Sequence, residues 1–344
     1  MGVASRFIFK ERPESGALAI RSIDLGDPKG TDVLVSIHSA SICGTDLHIY
    51  RWNDWAARTY RPPLPLGHEF GGVVVAVGPS VTGIGPGDHV TAETHIACER
   101  CHQCRLNRRH TCEHLQLFSR LGLGCFSDYT VVPAAALRVV PRDIPIELAT
   151  LMEPLGVSVR AITEAGVAGQ RVLVLGAGPI GLFAVLAARA HGAAKIVATD
   201  LSPFRQELAL RMGADKCGGS DLLRHHVQSP QQFDAVVDTT GQIAPAREAL
   251  ACIRSGGRMV FAGLYDELLP LDVTRHVVLR EISLSGVYGR KMDETWIATE
   301  RLLRSHASTA ASVVTDRVPL VDFDRAFELA SSGRSGKIVL RPTY

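Results

Sequence analysis

Two patterns of apolar and polar positions follow one another along this chain. Up to about residue 140, short β-branched runs are cut at close intervals by Gly and Pro. The runs 32–38 and 72–78 read as strands closed by turn residues, and 85–90 as a turn entering a strand. No helical period is sustained there, so an irregular antiparallel barrel with its chemistry on loops is expected. Segment 147–165 has a helical period interrupted by Pro154 and Gly156. Proline removes an intrahelical hydrogen bond, which predicts a kink with Glu153 immediately ahead of it. Beyond it, strands at 171–175, 195–199, 234–238, 258–262 and 282–288 alternate with helices at 182–191, 203–212 and 244–254. Such alternation predicts a doubly wound parallel sheet covered on both faces. After a helix at 293–304, strand patterns return at 312–318 and 337–341. Strands this far past the sheet predict a tail that rejoins the first barrel. The expected domains are 1–155, 156–290 and a return at 291–344.

Composition narrows the class. The 344 residues are 46% hydrophobic and 21% charged, with a net charge of +2. That suits a globular chain of about two domains. It offers no electrostatic case for a nucleic acid or a membrane surface as partner. The longest apolar run, near 184–190, is broken by Arg189 and falls far short of the ~20 residues of a membrane span. The first residues lack the basic-then-apolar order of a signal peptide. A cytoplasmic protein acting on a small molecule is expected.

The strand at 171–175 runs into Gly176-Ala-Gly-Pro-Ile-Gly181 and then a helix, and Asp200 ends the next strand. A bare G-x-G-x-x-G is common by chance. Between a strand and a helix, with an acid nineteen residues after its last glycine, it reads as a dinucleotide-binding turn. Gly176, Gly178, Pro179, Ile180 and Gly181 would then hold the pyrophosphate at the helix N-terminus. Asp200 would accept hydrogen bonds from the adenosine ribose, which favours NAD over NADP. Arg205, five residues further on, could instead pair with a phosphate or lie over the adenine.

Eight cysteines are present, four of them as Cys98-x2-Cys101-x2-Cys104-x7-Cys112. Four thiolates on one short loop can close a tetrahedral zinc shell with no open position, a structural site; disulfides or incidental thiols are the competing readings. The lobe 96–114 is polar and basic, so metal binding would substitute for a core there. Cys43, with Thr45 and His48 close by, together with His68, Glu69 and Glu153, offers the donor types of a second zinc. Each of these residues taken singly has an ordinary reading, such as an inert buried thiol for Cys43 or an exposed carboxylate for Glu153.

Together, Ile42-Cys-Gly-Thr-Asp-Leu-His-Ile-Tyr50, Trp52-Asn-Asp-Trp-Ala56, Gly67-His-Glu-Phe70, Thr94-His-Ile-Ala-Cys98 and Gly286-Val-Tyr-Gly-Arg-Lys-Met-Asp-Glu-Thr-Trp296 resemble the zinc-dependent medium-chain alcohol dehydrogenases. The likeness runs nearly end to end and is strongest to their L-threonine 3-dehydrogenase branch. The resemblance implies a GroES-like catalytic barrel, a Rossmann coenzyme domain, NAD, one catalytic and one structural zinc per chain, and a homotetramer or homodimer. It makes Cys43, His68 and Glu69 the catalytic-zinc neighbourhood, with Glu153 an exchangeable further ligand. It makes Thr45 the hydroxyl that contacts the reacting oxygen, His48 the outer member of a proton relay and His95 a histidine near the substrate. The implied reaction is NAD-dependent oxidation of a secondary alcohol, L-threonine to 2-amino-3-ketobutyrate. The alternative is a polyol, cyclitol or amino-cyclitol dehydrogenase. Two departures bear on that choice: Val157 stands where the threonine branch tends to carry Asn, and segment 120–124 is more apolar than the pattern.

Overall fold

The structure, a computed structural model, describes residues 2–118, 124–228 and 232–343. Most of the apolar segment 120–124 therefore lies outside the described residues. The chain divides into two compact units, Met1–Glu153 with Val314–Tyr344, and Pro154–Val313.

The first unit is organised on strand Asp32–Ser41. Glu69–Val77 and Tyr129–Pro133 both pair with it antiparallel, with register shifts at Leu34/Val35 and Ile37/Ser39 in the first of these pairings. Bulges of this kind bend a strand and raise its twist, which curves a sheet toward an irregular barrel. The far end of the strand takes Lys337–Arg341 as an antiparallel neighbour, and Val314–Pro319 runs parallel to that one. The tail thus completes the sheet that the N-terminal third begins. A second sheet joins Leu18–Leu25, Val3–Lys10 and Leu64–Pro65. Val33, Val35, Ile37, Phe70, Phe126, Phe327 and Leu340 form the centre of the core.

The second unit holds six parallel strands in the spatial order Lys216–Gly218, Lys195–Thr199, Arg171–Leu175, Phe233–Asp238, Ile253–Phe261 and Ser283–Gly286. By rank in the chain this is 3-2-1-4-5-6, the doubly wound order. The direction of winding reverses between Arg171–Leu175 and Phe233–Asp238, where ligands bind in such sheets.

Four expectations need correction. A helix, Gly44–Arg51, starts directly after Cys43, and a shorter one follows at Asp54–Thr59. Neither is long enough to show a period, and the signals that mark them are caps. The Cys43 N–H donates to Asp46 Oδ2 at 2.9 Å, and Asn53 Oδ1 accepts from Ala56 N at 3.1 Å. Pro154 does not kink a helix, because helix Met152–Ala165 begins two residues before it. In a first turn the missing N–H has no intrahelical role. The break falls at Thr150 and Leu151, after the short helix Ile146–Ala149. The strand expected from 258 starts at Ile253, whose backbone turns extended (ψ 136°) as helix Ile243–Cys252 ends. Finally, the chain leaves the second unit at Val313 rather than near 291. Helix Met292–Ser305 buries Trp296, Leu302 and Leu303 there, and Arg290 lies over the Trp296 ring.

Candidate functional site

Cys43 is the N-cap of helix Gly44–Arg51, extended at φ −95° and ψ 160°. Asp46, fully buried, anchors this start through the Cys43 N–H and stands 3.9 Å from His68 Nδ1. His68 follows Gly67, whose φ is +92° and where a Cβ would lie 2.5 Å from the Phe126 ring. Only glycine fits that turn, and the turn delivers His68 and Glu69 together at the head of strand Glu69–Val77. The Cys43 thiol, the His68 imidazole and the Glu69 carboxylate bring donor atoms within 4.8 Å of one another. Burial works against a charged His68, but Cys43, Asp46 and Glu153 outweigh it and hold the imidazole well above its ordinary pKa. A soft thiolate, an imidazole and a carboxylate crowded at this range fit zinc.

Glu69 has a strong competitor for its oxygens. Lys337 Nζ, 2% exposed, donates to Glu69 Oε1 at 2.8 Å and lies 2.6 Å from Oε2, and it also donates to the Ile42 carbonyl at 3.0 Å. Ser41 Oγ donates to Glu69 Oε2. Thr150 Oγ1 lies 3.1 Å from both Ser41 Oγ and the Glu69 carbonyl. Burial alone would discharge Lys337, but Glu69 and Cys43 reverse that and raise its pKa. Lys337 was not legible as a site residue, since it lies 268 positions from Glu69. Asp46 was legible in principle, as an acid three residues after a cap.

Glu153 sits in the first turn of Met152–Ala165, buried, with Oε1 accepting from Thr94 Oγ1 at 3.1 Å. Its charge reaches both His68 and Lys337. His95 is buried on strand His95–Ile96; its Nδ1 is 3.1 Å from Glu93 Oε1, which also accepts the His95 N–H at 2.9 Å. Thr45 and His48 lie three residues apart on one face of Gly44–Arg51. Asn53 Nδ2 is 2.7 Å from His48 Nδ1 while Asn53 Oδ1 serves Ala56, so the neutral His48 ring carries its proton on Nε2.

Cys98, Cys101, Cys104 and Cys112 form a second cluster, again with donors within 4.8 Å. The amides of Cys98 and His114 donate to Cys112 Sγ at 3.3 Å each. Among the described residues, Ala97 and Leu115 alone join these cysteines in a small apolar group, so the lobe has little core of its own. The donor set fits a closed tetrahedral zinc.

In the second unit, strand Arg171–Leu175 enters a left-handed Gly176 (φ +85°), and helix Pro179–Ala190 starts with Pro at its first position. A Cβ on Gly181 would stand 1.9 Å from the Gly176 carbonyl, whereas one on Gly178 would meet nothing within 4 Å. Close packing at one glycine and open space at the other suit a backbone that a phosphate approaches. The Ile180 carbonyl accepts from Ser158 Oγ at 2.7 Å. Asp200 holds the turn as well as closing its strand: Oδ2 accepts from Ala177 N and Oδ1 from Ser202 N, both at 2.8 Å. Arg205 is half-buried in helix Pro203–Arg211, its N–H donating to Ser202 Oγ.

A thiolate–imidazole–carboxylate cluster on a barrel and a glycine turn on a 3-2-1-4-5-6 sheet define a metal-dependent oxidoreductase with a dinucleotide coenzyme. Family models agree: the alcohol dehydrogenase GroES-like domain matches residues 29–142 and the zinc-binding dehydrogenase domain residues 179–305. An L-threonine 3-dehydrogenase of Bacillus licheniformis is 38% identical over 321 residues, covering 90% of this chain and 91% of its own length. One of Pyrococcus furiosus is 36% identical over 338 residues, covering 96% and 97%. Among solved structures, an alcohol dehydrogenase from Thermus sp. ATN1 superimposes with a TM-score of 0.84 at 28% identity, over 98% of this chain and 100% of that one. The chain belongs to the zinc-binding alcohol dehydrogenase family.

Proposed function

We propose that this protein oxidises the secondary hydroxyl of L-threonine to give 2-amino-3-ketobutyrate, with NAD as the hydride acceptor. The observation that carries the reading is the Cys43–His68–Glu69 donor cluster in a chain 38% identical to an L-threonine 3-dehydrogenase. Cys43 and His68 would hold the catalytic zinc, with Glu69 and Glu153 as the adjustable carboxylates, and the four clustered cysteines would hold the structural one. Zinc in the first position supplies Lewis acidity that makes an alcohol easier to deprotonate. Thr45 takes up the hydroxyl proton. His48, one turn further along the helix, gives it an outward route once Nδ1 is released from Asn53. His95 faces the substrate and orients it. The turn 176–181 and Asp200 bind the dinucleotide, and the Asp200 carboxylate repels a 2′-phosphate, so NAD is preferred to NADP.

Val157, half-buried in helix Met152–Ala165, favours a second reading, a polyol or amino-cyclitol dehydrogenase. Initial rates of zinc-loaded protein with NAD on L-threonine, sorbitol and an inositol separate the two. Turnover of sorbitol alone would end the first. Cys43→Ser abolishes turnover while leaving NADH binding intact; near-normal turnover in that variant would mean that this thiolate holds no catalytic metal.

Four of the eight cysteines gather as one metal-donor set rather than as disulfides, which supports a reducing, cytoplasmic setting. Among the described residues no helix is long and apolar enough to cross a membrane. Association into a dimer or tetramer is supported by strand Ser283–Gly286, an edge of the described sheet, and by Leu268 and Leu279 nearby in sequence, 91% and 73% exposed. Light scattering after gel filtration tests it; a monomer at micromolar concentration refutes it.

A further inference from the structure

Lys10 closes strand Val3–Lys10, and its side chain is fully buried. A lysine there must hand each proton of its ammonium to a partner. Nζ donates to the Glu14 carbonyl, to the Gly16 carbonyl at 2.6 Å and to the Tyr50 carbonyl at 3.0 Å. Three protons meet three acceptors; a neutral amine has two and would turn its lone pair on the third carbonyl. Burial brings the pKa down to about 8 against the pull of the Glu14 carboxylate, so the group is still an ammonium at neutral pH. Segment 11–17 bends round this ion. Gly16 and Ala17 are left-handed, at φ +71° and +49°, and the Ala17 carbonyl accepts from the Glu11 N–H at 2.8 Å.

The third carbonyl leads to the candidate site. Tyr50 is in the last turn of helix Gly44–Arg51, where carbonyls lack partners within the helix and a cation is favoured. Its oxygen also takes the Gly16 N–H at 2.9 Å. Trp52 caps the helix at φ +53°, with its N–H donating to the His48 and Ile49 carbonyls. A tryptophan in the left-handed region is strained and persists where its surroundings hold it. The Lys10 ammonium stands 5.4 Å from the centre of its ring, within reach of a cation–π attraction. The next residue, Asn53, reaches back to His48 Nδ1 at 2.7 Å, and Trp55 makes a T-shaped contact with the His48 ring, centroids 5.5 Å apart.

We propose that Lys10 is a positioning residue for the proton route: its ammonium ties segment 11–17 to the end of helix Gly44–Arg51 and fixes Trp52, so that Asn53 and Trp55 hold the His48 ring in one place. The importance of His48 rests on the proposed function, in which it carries the proton outward. Lys10 acts through the loop that follows the helix. Its charge is the active feature, because a side chain of similar length without it keeps the packing of the stem and loses three hydrogen bonds and the ring contact together.

The experiment compares zinc-loaded wild type with Lys10→Met, both labelled with 15N at histidine, the His48 signals being identified by their loss in His48→Gln. In Lys10→Met the His48 signals should shift or broaden while those of the other histidines stay in place. Unmoved His48 signals overturn the proposal, and so does a change at every histidine, which marks general damage. Turnover of L-threonine should fall about tenfold in kcat, a part of the 10²–10⁴-fold that a positioned proton carrier contributes, with KM for L-threonine and Kd for NAD within about twofold. An equal loss in kcat and in NAD binding overturns the proposal. Lys10→Met/His48→Gln should be no slower than His48→Gln; additive losses likewise overturn it. Lys10→Gln, one bond shorter but with two N–H donors, should move the same signals by less, and it serves if Lys10→Met does not fold. A His48→Gln variant as fast as wild type would refute the role given to His48 in the proposed function, and the 15N spectra would still decide whether Lys10 places that ring.

Discussion

The ion pair between Lys337 and Glu69 permits the most exacting test of how the first unit is held. Lys337→Met keeps most of the stem volume and removes the ammonium. Glu69, fully buried, is left with the Ser41 hydroxyl as its remaining partner of that pair's two, and the Ile42 carbonyl loses a donor. Deleting one member of a buried pair costs about 3–5 kcal/mol, because the other charge is stranded away from water. In a domain of about 150–250 residues each kcal/mol moves Tm by about 2–4 °C. Calorimetry of zinc-loaded protein should therefore show the transition of the first unit lowered by roughly 6–20 °C. Glu69→Gln/Lys337→Met removes both charges and should recover most of that loss, since a neutral pair has no stranded ion. A drop below about 3 °C in the single variant, or a double variant no more stable than the single one, would refute the argument that charge drives the effect. The pH dependence has a definite sign. Lys337 has a raised pKa, so its contribution is complete below the ordinary lysine value and is lost as pH climbs through the higher folded value.

Three further outcomes are expected. Cys104→Ser should release about one equivalent of zinc per chain and lower the melting temperature, with the chemistry of the surviving enzyme little changed; metal analysis and calorimetry check it, and a fully stable variant argues against a structural metal. Asp200→Ala should narrow the preference for NAD over NADP and also weaken NAD itself, because the Ala177 and Ser202 amides lose their acceptor; Kd values for both coenzymes by fluorescence titration decide it. Burial raises the Glu147 pKa, but Arg317 and Arg341 more than reverse this and hold it below 4.5, so its contribution is present above that value and is lost as pH falls through the lower folded value. Glu147→Gln should accordingly be less stable than wild type near neutrality and indistinguishable from it at the acid end, as measured by urea unfolding across pH.

What the sequence revealed follows the range of each interaction. The glycine turn, the four-cysteine loop and the Gly67-His68-Glu69 corner are local patterns, and the structure forms each of them from neighbouring residues. The alternation of strands and helices after residue 170 was legible for the same reason, since each apolar run there is one buried strand. Helix Gly44–Arg51 was missed because eight residues are too few for a period to show, although Asp46 marks its start. The point where the chain leaves the second unit was misplaced because helix Met292–Ser305 has the same amphipathic pattern whichever unit it packs on. Lys337 and Ser41 were invisible as site residues, because their bonds to Glu69 span 268 and 28 positions.

The long-range contacts explain why a divalent metal suits this pocket. Cys43 as thiolate, Asp46, Glu69 and Glu153 can carry four negative charges in one buried neighbourhood. Against them stand the Lys337 ammonium and, when protonated, His68. At best two negative charges are left uncompensated, and buried like charges cannot remain ionised together without a counter-ion. A protein without metal must keep protons on some of these groups, and the upward displacement of the Asp46 carboxyl, which burial causes and His68 opposes, shows that pressure. A bound dication would remove it without moving the backbone, because Cys43 and His68 are fixed by a helix cap and a glycine corner. Side chains hold both carboxylates, Glu69 through Lys337 and Ser41 and Glu153 through Thr94 among others. In the proposed site, adjustment of a metal shell would therefore fall to Glu69 and Glu153, and their partners would set how readily each one moves.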